Sequence, residues 1–342
     1  MRTLLAALLL TVGCTGSVEG SDDSLPDTGA EDTGAATDTG SGAADTGTAT
    51  DTGTTADTGT TADTGTTADT GTTADTGIAT DTATDTGVTS DTGVTTDTGP
   101  TGGGFAALVS KTTWEAMFPH RNALFTYEGM AAAAAAYPAF ASEGTAEQRK
   151  REVAAFLANI SHETTGGWDT APDGRAAWGL YFKEEVGCET GACTGYCDAT
   201  SAFKCAAGKT YHGRGPIQLS WNYNYGQAGA ALGVDLLNKP ELVTSDAKTT
   251  FLTALWFWMT PQAPKPSAHA VMAGAWTPTS DDVAKGRKPG FGMTVNIING
   301  GLECGFPTDG RVKDRIGFFE RYVTMLGTTK GDAIECATMK PY

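Results

Sequence analysis

Gln148-Arg149-Lys150-Arg151-Glu152-Val153-Ala154-Ala155-Phe156-Leu157-Ala158-Asn159-Ile160-Ser161-His162-Glu163-Thr164-Thr165-Gly166-Gly167-Trp168 is the stretch on which the fold turns. Val153, Phe156, Leu157 and Ile160 recur at the i, i+3, i+4, i+7 spacing of an amphipathic helix. Gly166-Gly167 predicts its end, which leaves Glu163 between an apolar helical face and a Gly-Gly-Trp turn. A carboxyl there is expected to be partly desolvated, a setting in which carboxylic acids keep a proton towards neutral pH. The plain alternative is a helix-end Glu accepting structural hydrogen bonds.

Two more helices are legible further along. Ser245-Asp246 offers an N-cap to a segment carrying Phe251, Leu252, Leu255, Trp256 and Met259. Asp309 caps a stripe of Val312, Ile316, Phe319 and Val323, with Gly327 as its stop. Period-two alternation is scarce, and Gly and Pro are frequent between helices. These patterns predict a mainly α domain with long irregular loops and at most a small sheet. Trp256 and Trp258, on a helix, are expected in the core.

Two further segments look unlike ordinary packing. One is Tyr211-His212-Gly213-Arg214-Gly215-Pro216-Ile217-Gln218-Leu219-Ser220-Trp221-Asn222-Tyr223-Asn224-Tyr225. The other is Asn296-Ile297-Ile298-Asn299-Gly300-Gly301-Leu302-Glu303-Cys304-Gly305. With Ser161–Trp168, Trp256-Phe257-Trp258-Met259 and Pro289-Gly290-Phe291-Gly292, they resemble the signature segments of the family 19, plant-type chitinases, in the right order from about Trp114 to the C-terminus.

That resemblance implies a lysozyme-like bilobal α+β domain and an endo-acting chitinase. Such an enzyme hydrolyses β-1,4 links between N-acetylglucosamine units with inversion. Inverting hydrolysis needs an acid for the leaving oxygen and a base for water, roughly 6.5–9.5 Å apart. By resemblance Glu163 matches the acid and Glu185, 22 positions on, the base. Glu184 competes with Glu185, since Lys183-Glu184-Glu185 also reads as a solvated charge run. Ser220 matches the residue that holds the water. Thr165, Gln218, Tyr223, Asn224 and Asn299 match substrate contacts, with Lys265, Trp168 and Trp178 as weaker candidates. Amides suit N-acetyl groups and ring hydroxyls. Glu303 and Arg315 match a buried charged network beside the acid. His162 reads as a hydrogen-bonding neighbour, because Gly166 stands where H-E-x-x-H needs a second His. No metal or other cofactor is implied.

The chain departs from the plant pattern in places. A third plant disulfide is missing, its second position falling at Tyr181. An early loop is short, His120-Arg121-Asn122 passing directly to Ala123-Leu124-Phe125. Phe203 replaces a cleft Trp, which touches the outer subsites. Cys197–Cys205 and Cys304–Cys336 match family disulfides, and Cys188–Cys193 is expected as a local bridge after Glu185. Zinc on Cys188, Cys193, Cys197 and Cys205 is the alternative, but the spacing has no repeated C-x2-C pair.

Before this domain, residues 15–104 are almost wholly Asp, Thr, Gly, Ala and Ser, with no Lys, Arg, Trp, Tyr or Phe. The six-residue repeat Thr-Thr-Ala-Asp-Thr-Gly runs from about Thr54 to Gly77. The segment offers too little apolar surface to offset ordering entropy, so it predicts a flexible acidic tether. Seventeen of the 40 acidic residues lie there, leaving 23 acids against 22 bases in residues 105–342 once Arg2 is set aside. A near-neutral domain gives no electrostatic argument for nucleic acid, and a neutral polymer suits it.

Residues 1–14 have the form of a secretory signal: Arg2, then Leu4 to Leu10, then Thr11-Val12-Gly13-Cys14, which resembles a bacterial lipoprotein cleavage box. Using Cys14 as a lipid anchor leaves an even six Cys of the seven. The chain is thus expected to be exported, lipid-anchored to the outer membrane or cell surface or else secreted, and monomeric, with chitin or chitooligosaccharides as partners. A muramidase-like cell-wall hydrolase and a non-catalytic carbohydrate-binding protein are the competing readings. Chitin and peptidoglycan share an N-acetylated β-1,4 backbone.

Overall fold

The computed structural model describes residues 104–307 and 309–342. The expected signal segment with Cys14 and nearly all of the tether lie outside the described residues. Ten α-helices are described: α1 Phe105–Leu108, α2 Lys111–Met117, α3 Tyr127–Ala134, α4 Ala146–Glu163, α5 Asn222–Leu232, α6 Ala247–Met259, α7 Ala268–Met272, α8 Ser280–Ala284, α9 Phe291–Glu303 and α10 Gly310–Met325. Extended pairing among the described residues is limited to isolated bridges, Glu184 with Arg214, Arg214 with Leu219, and Gln262 with Lys265. The domain is mainly α, as the periodicity predicts.

Side-chain caps set most helix starts. Thr145 accepts from the Gln148 amide, and Gln148 answers onto the Thr145 amide, so two orphan donors are satisfied together. Asp246 and Asp309 cap α6 and α10 as expected. The central helix α4 is buried without a break from Glu152 to Ser161, and α10 packs along it. Trp114, Phe125 and Phe251 join the same core, Phe251 edge-on to Trp114 at 5.7 Å. Trp256 and Trp258 are buried as predicted.

Helix α9 was not legible as a helix, because its sequence is rich in Gly and Asn. Gly292 answers to packing. A Cβ at Gly292 would sit 2.2 Å from the Glu335 carbonyl oxygen, so the C-terminal segment crosses against bare backbone. The helix is interrupted at Asn299 (φ −141°, ψ 31°).

Buried charged groups also stand away from the cleft, Glu152 among them. Glu152 is fully buried and accepts from Trp258 Nε1 (3.1 Å) and the Ala141 amide (3.0 Å), and pairs with His269 Nδ1 at 2.6 Å. Glu143 lies 3.2 Å from the other ring nitrogen. Burial opposes charge on His269, but the bonds and attraction from Glu152 and Glu143 outweigh it and hold the imidazole above its ordinary value. A raised folded-state pKa gives stability that is complete below the unfolded value of 6.5 and is lost as pH rises through the folded value. The melting temperature of the native chain should therefore exceed that of His269→Gln by a few degrees at about pH 5.5, and the gap should narrow by about pH 9. A gap constant with pH would contradict the assignment.

Candidate active site

A cleft of about 1280 Å³ opens where α4 ends. Glu163 is the last residue of α4. The chain then turns sharply over Thr164, whose hydroxyl donates to the Ile160 carbonyl and accepts from the Leu180 amide. Gly166 and Gly167 are required there by close approach. A Cβ on Gly166 would lie 2.4 Å from the Tyr181 ring, and one on Gly167 2.5 Å from the Arg175 carbonyl. Thr165 accepts from the Gly167 amide at 3.0 Å.

Glu163 is partly buried, and its surroundings are charged. Its side chain is 19% exposed, and its Oε1 accepts from Arg315 Nη2 at 2.5 Å. Arg315 is fully buried and spans Glu303 with two bonds, 2.8 Å from Nε and 2.7 Å from Nη2. Asn159 accepts from its remaining nitrogen at 3.2 Å. Burial opposes charge on Glu303, yet Arg315 outweighs it and holds the Glu303 carboxyl below the usual carboxylate range. Asn299 donates to Glu303 at 2.7 Å from the break in α9. One guanidinium therefore faces two carboxylates, and only Glu163 reaches the cleft.

Beside it, His162 Nδ1 lies 2.6 Å from Asp314, and Arg175 donates to the same carboxylate. Asp314 is nearly buried. Burial works against its charge, and His162 with Arg175 overcomes that and lowers its pKa.

Segment 183–185 pairs with 213–215: the Gly215 amide donates to the Lys183 carbonyl and the Glu185 amide to the Gly213 carbonyl, both at 2.8 Å. Extended backbone sends alternate side chains to opposite faces. Both glutamates border the cleft, but they are held differently. Glu184 lies 3.3 Å from His212 Nε2 and 3.9 Å from Arg214, and its side chain is 13% exposed. His212 is buried, and that burial with the nearby Arg214 charge keeps it below its ordinary value. Glu185 has neutral donors: Tyr196 Oη at 2.8 Å on Oε1 and the Gly213 amide at 3.2 Å on Oε2.

Three disulfides form: Cys197–Cys205 and Cys304–Cys336, as the resemblance implied, and Cys188–Cys193, the local bridge expected after Glu185; their bonding replaces the zinc alternative. Two of them bracket Tyr196, which lies between Cys193 and Cys197. Tyr196, Arg175 and Asp314 are cleft residues that sequence reasoning missed. The one available signal was for Tyr196, an aromatic fixed between cysteines four positions apart.

Ser220 and Gln218, on the tight loop before α5, and Asn224, in the first turn of α5, line the cleft. Ser220 donates to the Gln218 carbonyl (2.9 Å), Gln218 to that of Gly215 (3.0 Å) and Asn224 to that of Ser220 (2.8 Å). Gln218 and Trp221 have φ of 50° and 75°, a region that costs non-glycine residues free energy and tends to persist at functional sites. His162, Thr165, Trp168, Lys265 and Asn299 also line the cleft. Lys265 donates to the Ile297 carbonyl at 2.9 Å, and burial, then the Arg287 charge, lowers its pKa. Tyr223 is not among the cleft residues; its ring stacks on Trp221, with centroids 5.9 Å apart. Trp178 is also outside, stacked on His120. Phe203 packs on α5 at Gly226 and does not border the cleft.

Residues 108–336 match the glycoside hydrolase 19 family model, described as chitinase class I. The chain is 55% identical over 248 residues to chitinase 3 of Oryza sativa subsp. japonica, covering 70% of this chain and 77% of the relative. It is 51% identical over 243 residues to an inactive chitinase-like protein 1 of Hevea brasiliensis, covering 69% and 76%. Among solved structures, chitinase C from Streptomyces griseus HUT6037 superposes with a TM-score of 0.55 at 40% identity, covering 68% of this chain and 99% of that one.

Proposed function

The chain belongs to the class I chitinases of glycoside hydrolase family 19, and from that premise we propose that it is an endo-acting chitinase cutting β-1,4 links between N-acetylglucosamine units by one inverting displacement. A relative described as inactive matches at 51% identity, so overall likeness does not by itself carry catalysis. The observation that carries it here is the pair Glu163 and Glu185, brought by separate segments to one cleft.

In this reading Glu163 gives its proton to the glycosidic oxygen as the C1–O bond breaks. Glu185 takes a proton from water as the water oxygen bonds to C1 from the other face. Arg315 then meets the charge that appears on Glu163, while Glu303 balances the guanidinium before the step. Tyr196 and the Gly213 amide orient the Glu185 carboxylate towards water held with the help of Ser220. Gln218, Asn224, Asn299 and Thr165 offer polar edges to acetamido and hydroxyl groups, and the half-exposed Trp168 offers a flat apolar face. We assign Lys265 and Tyr223 no direct sugar contact.

Glu185→Gln should lower turnover on chitin oligomers by about a hundredfold or more. Glu184→Gln, which loosens His212 and Arg214, should cost less than about tenfold. The reverse order would make Glu184 the base. Run in parallel on peptidoglycan, the same assays should show chitin as the preferred substrate; preference for peptidoglycan would favour the muramidase reading.

We place the enzyme outside the cytoplasm as a monomer, held by a lipid at Cys14 or released, with residues 15–104 as its spacer. Three disulfides suit an oxidising compartment. Incorporation of labelled fatty acid that is lost in Cys14→Ser tests the anchor.

A further inference from the structure

A second cavity, of about 350 Å³, lies beside the cleft and shares Phe182 and Glu184 with it. Residues 120–122 form one side and residues 181–184 another, and Glu189 completes it.

The chemistry of the walls is that of a sugar site. Tyr181 is 39% exposed and Phe182 37%, large apolar rings on a surface where such rings are few. Their centroids are 4.9 Å apart and their planes nearly perpendicular. The aromatic run continues from Tyr181 to Trp178 (5.4 Å) and on to Trp168 (5.1 Å) at the cleft, with His120 stacked on Trp178 at 4.0 Å. Lys183 and Glu189 bring polar ends to the rim. Rings for the apolar face of a pyranose, with charged groups for its hydroxyl and acetamido edges, are the lining that saccharide pockets need.

We infer that this cavity is an accessory saccharide site that binds an N-acetylglucosamine unit of the chitin substrate outside the catalytic cleft. The inference rests on the chitinase reading for its ligand. Continuity with the cleft through Phe182 and Glu184 argues for that ligand over an unrelated one. It would help a chain hold an insoluble surface while the cleft works on a nearby strand.

The full-length Glu163→Gln variant, titrated with N-acetylglucosamine hexamer and followed by amide NMR, is the direct test. Shifts at Tyr181, Lys183 and Glu189 should saturate on a curve separate from those at Thr165 and Asn224. In the active chain, Tyr181→Ala and Glu189→Ala should each weaken binding to insoluble chitin, Tyr181→Ala by about fivefold. Turnover of the soluble tetramer by Glu189→Ala should stay within about twofold. Shifts confined to the cleft, or unchanged chitin binding in both variants, overturn the accessory site and leave the chitinase reading intact. Shifts at the cavity without any at the cleft uphold the site and reject that reading. If Tyr181→Ala disturbs the turn over Gly166, the titration and Glu189→Ala decide alone.

Discussion

Glu163→Gln is expected to lower hydrolysis of chitin oligomers by about a thousandfold or more while oligomer affinity changes less than about threefold. Glutamine keeps the shape of glutamate, and its amide oxygen can still accept from Arg315, so the end of α4 and the cleft wall should hold. What it removes is the acidic proton. Without that proton the leaving oxygen departs as an alkoxide, and binding contacts cannot replace the lost step. Affinity is read from calorimetry with the hexamer and rate from product release. A variant that keeps full activity would reject Glu163 as the acid.

The largest stability effect should come from Arg315→Leu. Arg315 and Glu303 are both fully buried, and the guanidinium provides the bonds that make the Glu303 charge tolerable. Removing one partner of a buried ion pair costs roughly 3–5 kcal/mol, because the other charge is left uncompensated. At about 2–4 °C per kcal/mol for a domain of this size, the melting temperature should fall by about 6–20 °C. Adding Glu303→Leu should recover much of that loss, since an apolar pair of similar volume is often as stable as the ion pair. Activity should stay low in the double variant, because Glu163 would still lack its donor. A melting temperature for Arg315→Leu within about 2 °C of the native chain would show that the buried pair contributes little.

Features with a local cause were legible in the sequence. The apolar spacing of Val153, Phe156, Leu157 and Ile160 needs only the 3.6-residue period, and the caps at Asp246 and Asp309 act within one turn. Helix α9 was not legible, because it is rich in Gly and Asn and the packing that demands Gly292 comes from Glu335, far along the chain. The site shows the same division. Motif resemblance pointed to Glu163, Glu303 and Arg315, and Arg315 bonds both carboxylates, Glu303 buried and Glu163 at the cleft. It also named Tyr223, whose ring the fold stacks on Trp221 instead. Neither Tyr196 on Glu185 nor Arg175 on Asp314 could be read in advance, since each contact joins segments whose approach is set by tertiary structure. The separation of Glu184 from Glu185 likewise emerged only with the pairing of segment 183–185 against 213–215, which gives neighbours opposite partners.

The account stands on water attacking C1 once, between a proton donor at Glu163 and a proton acceptor at Glu185. Proton NMR of the first minutes of chitin hexamer hydrolysis reads this directly, before mutarotation mixes the anomers. A single displacement at a β-link predicts new reducing ends that appear first as the α anomer. New reducing ends that appear first as the β anomer would mean retention and would contradict the mechanism.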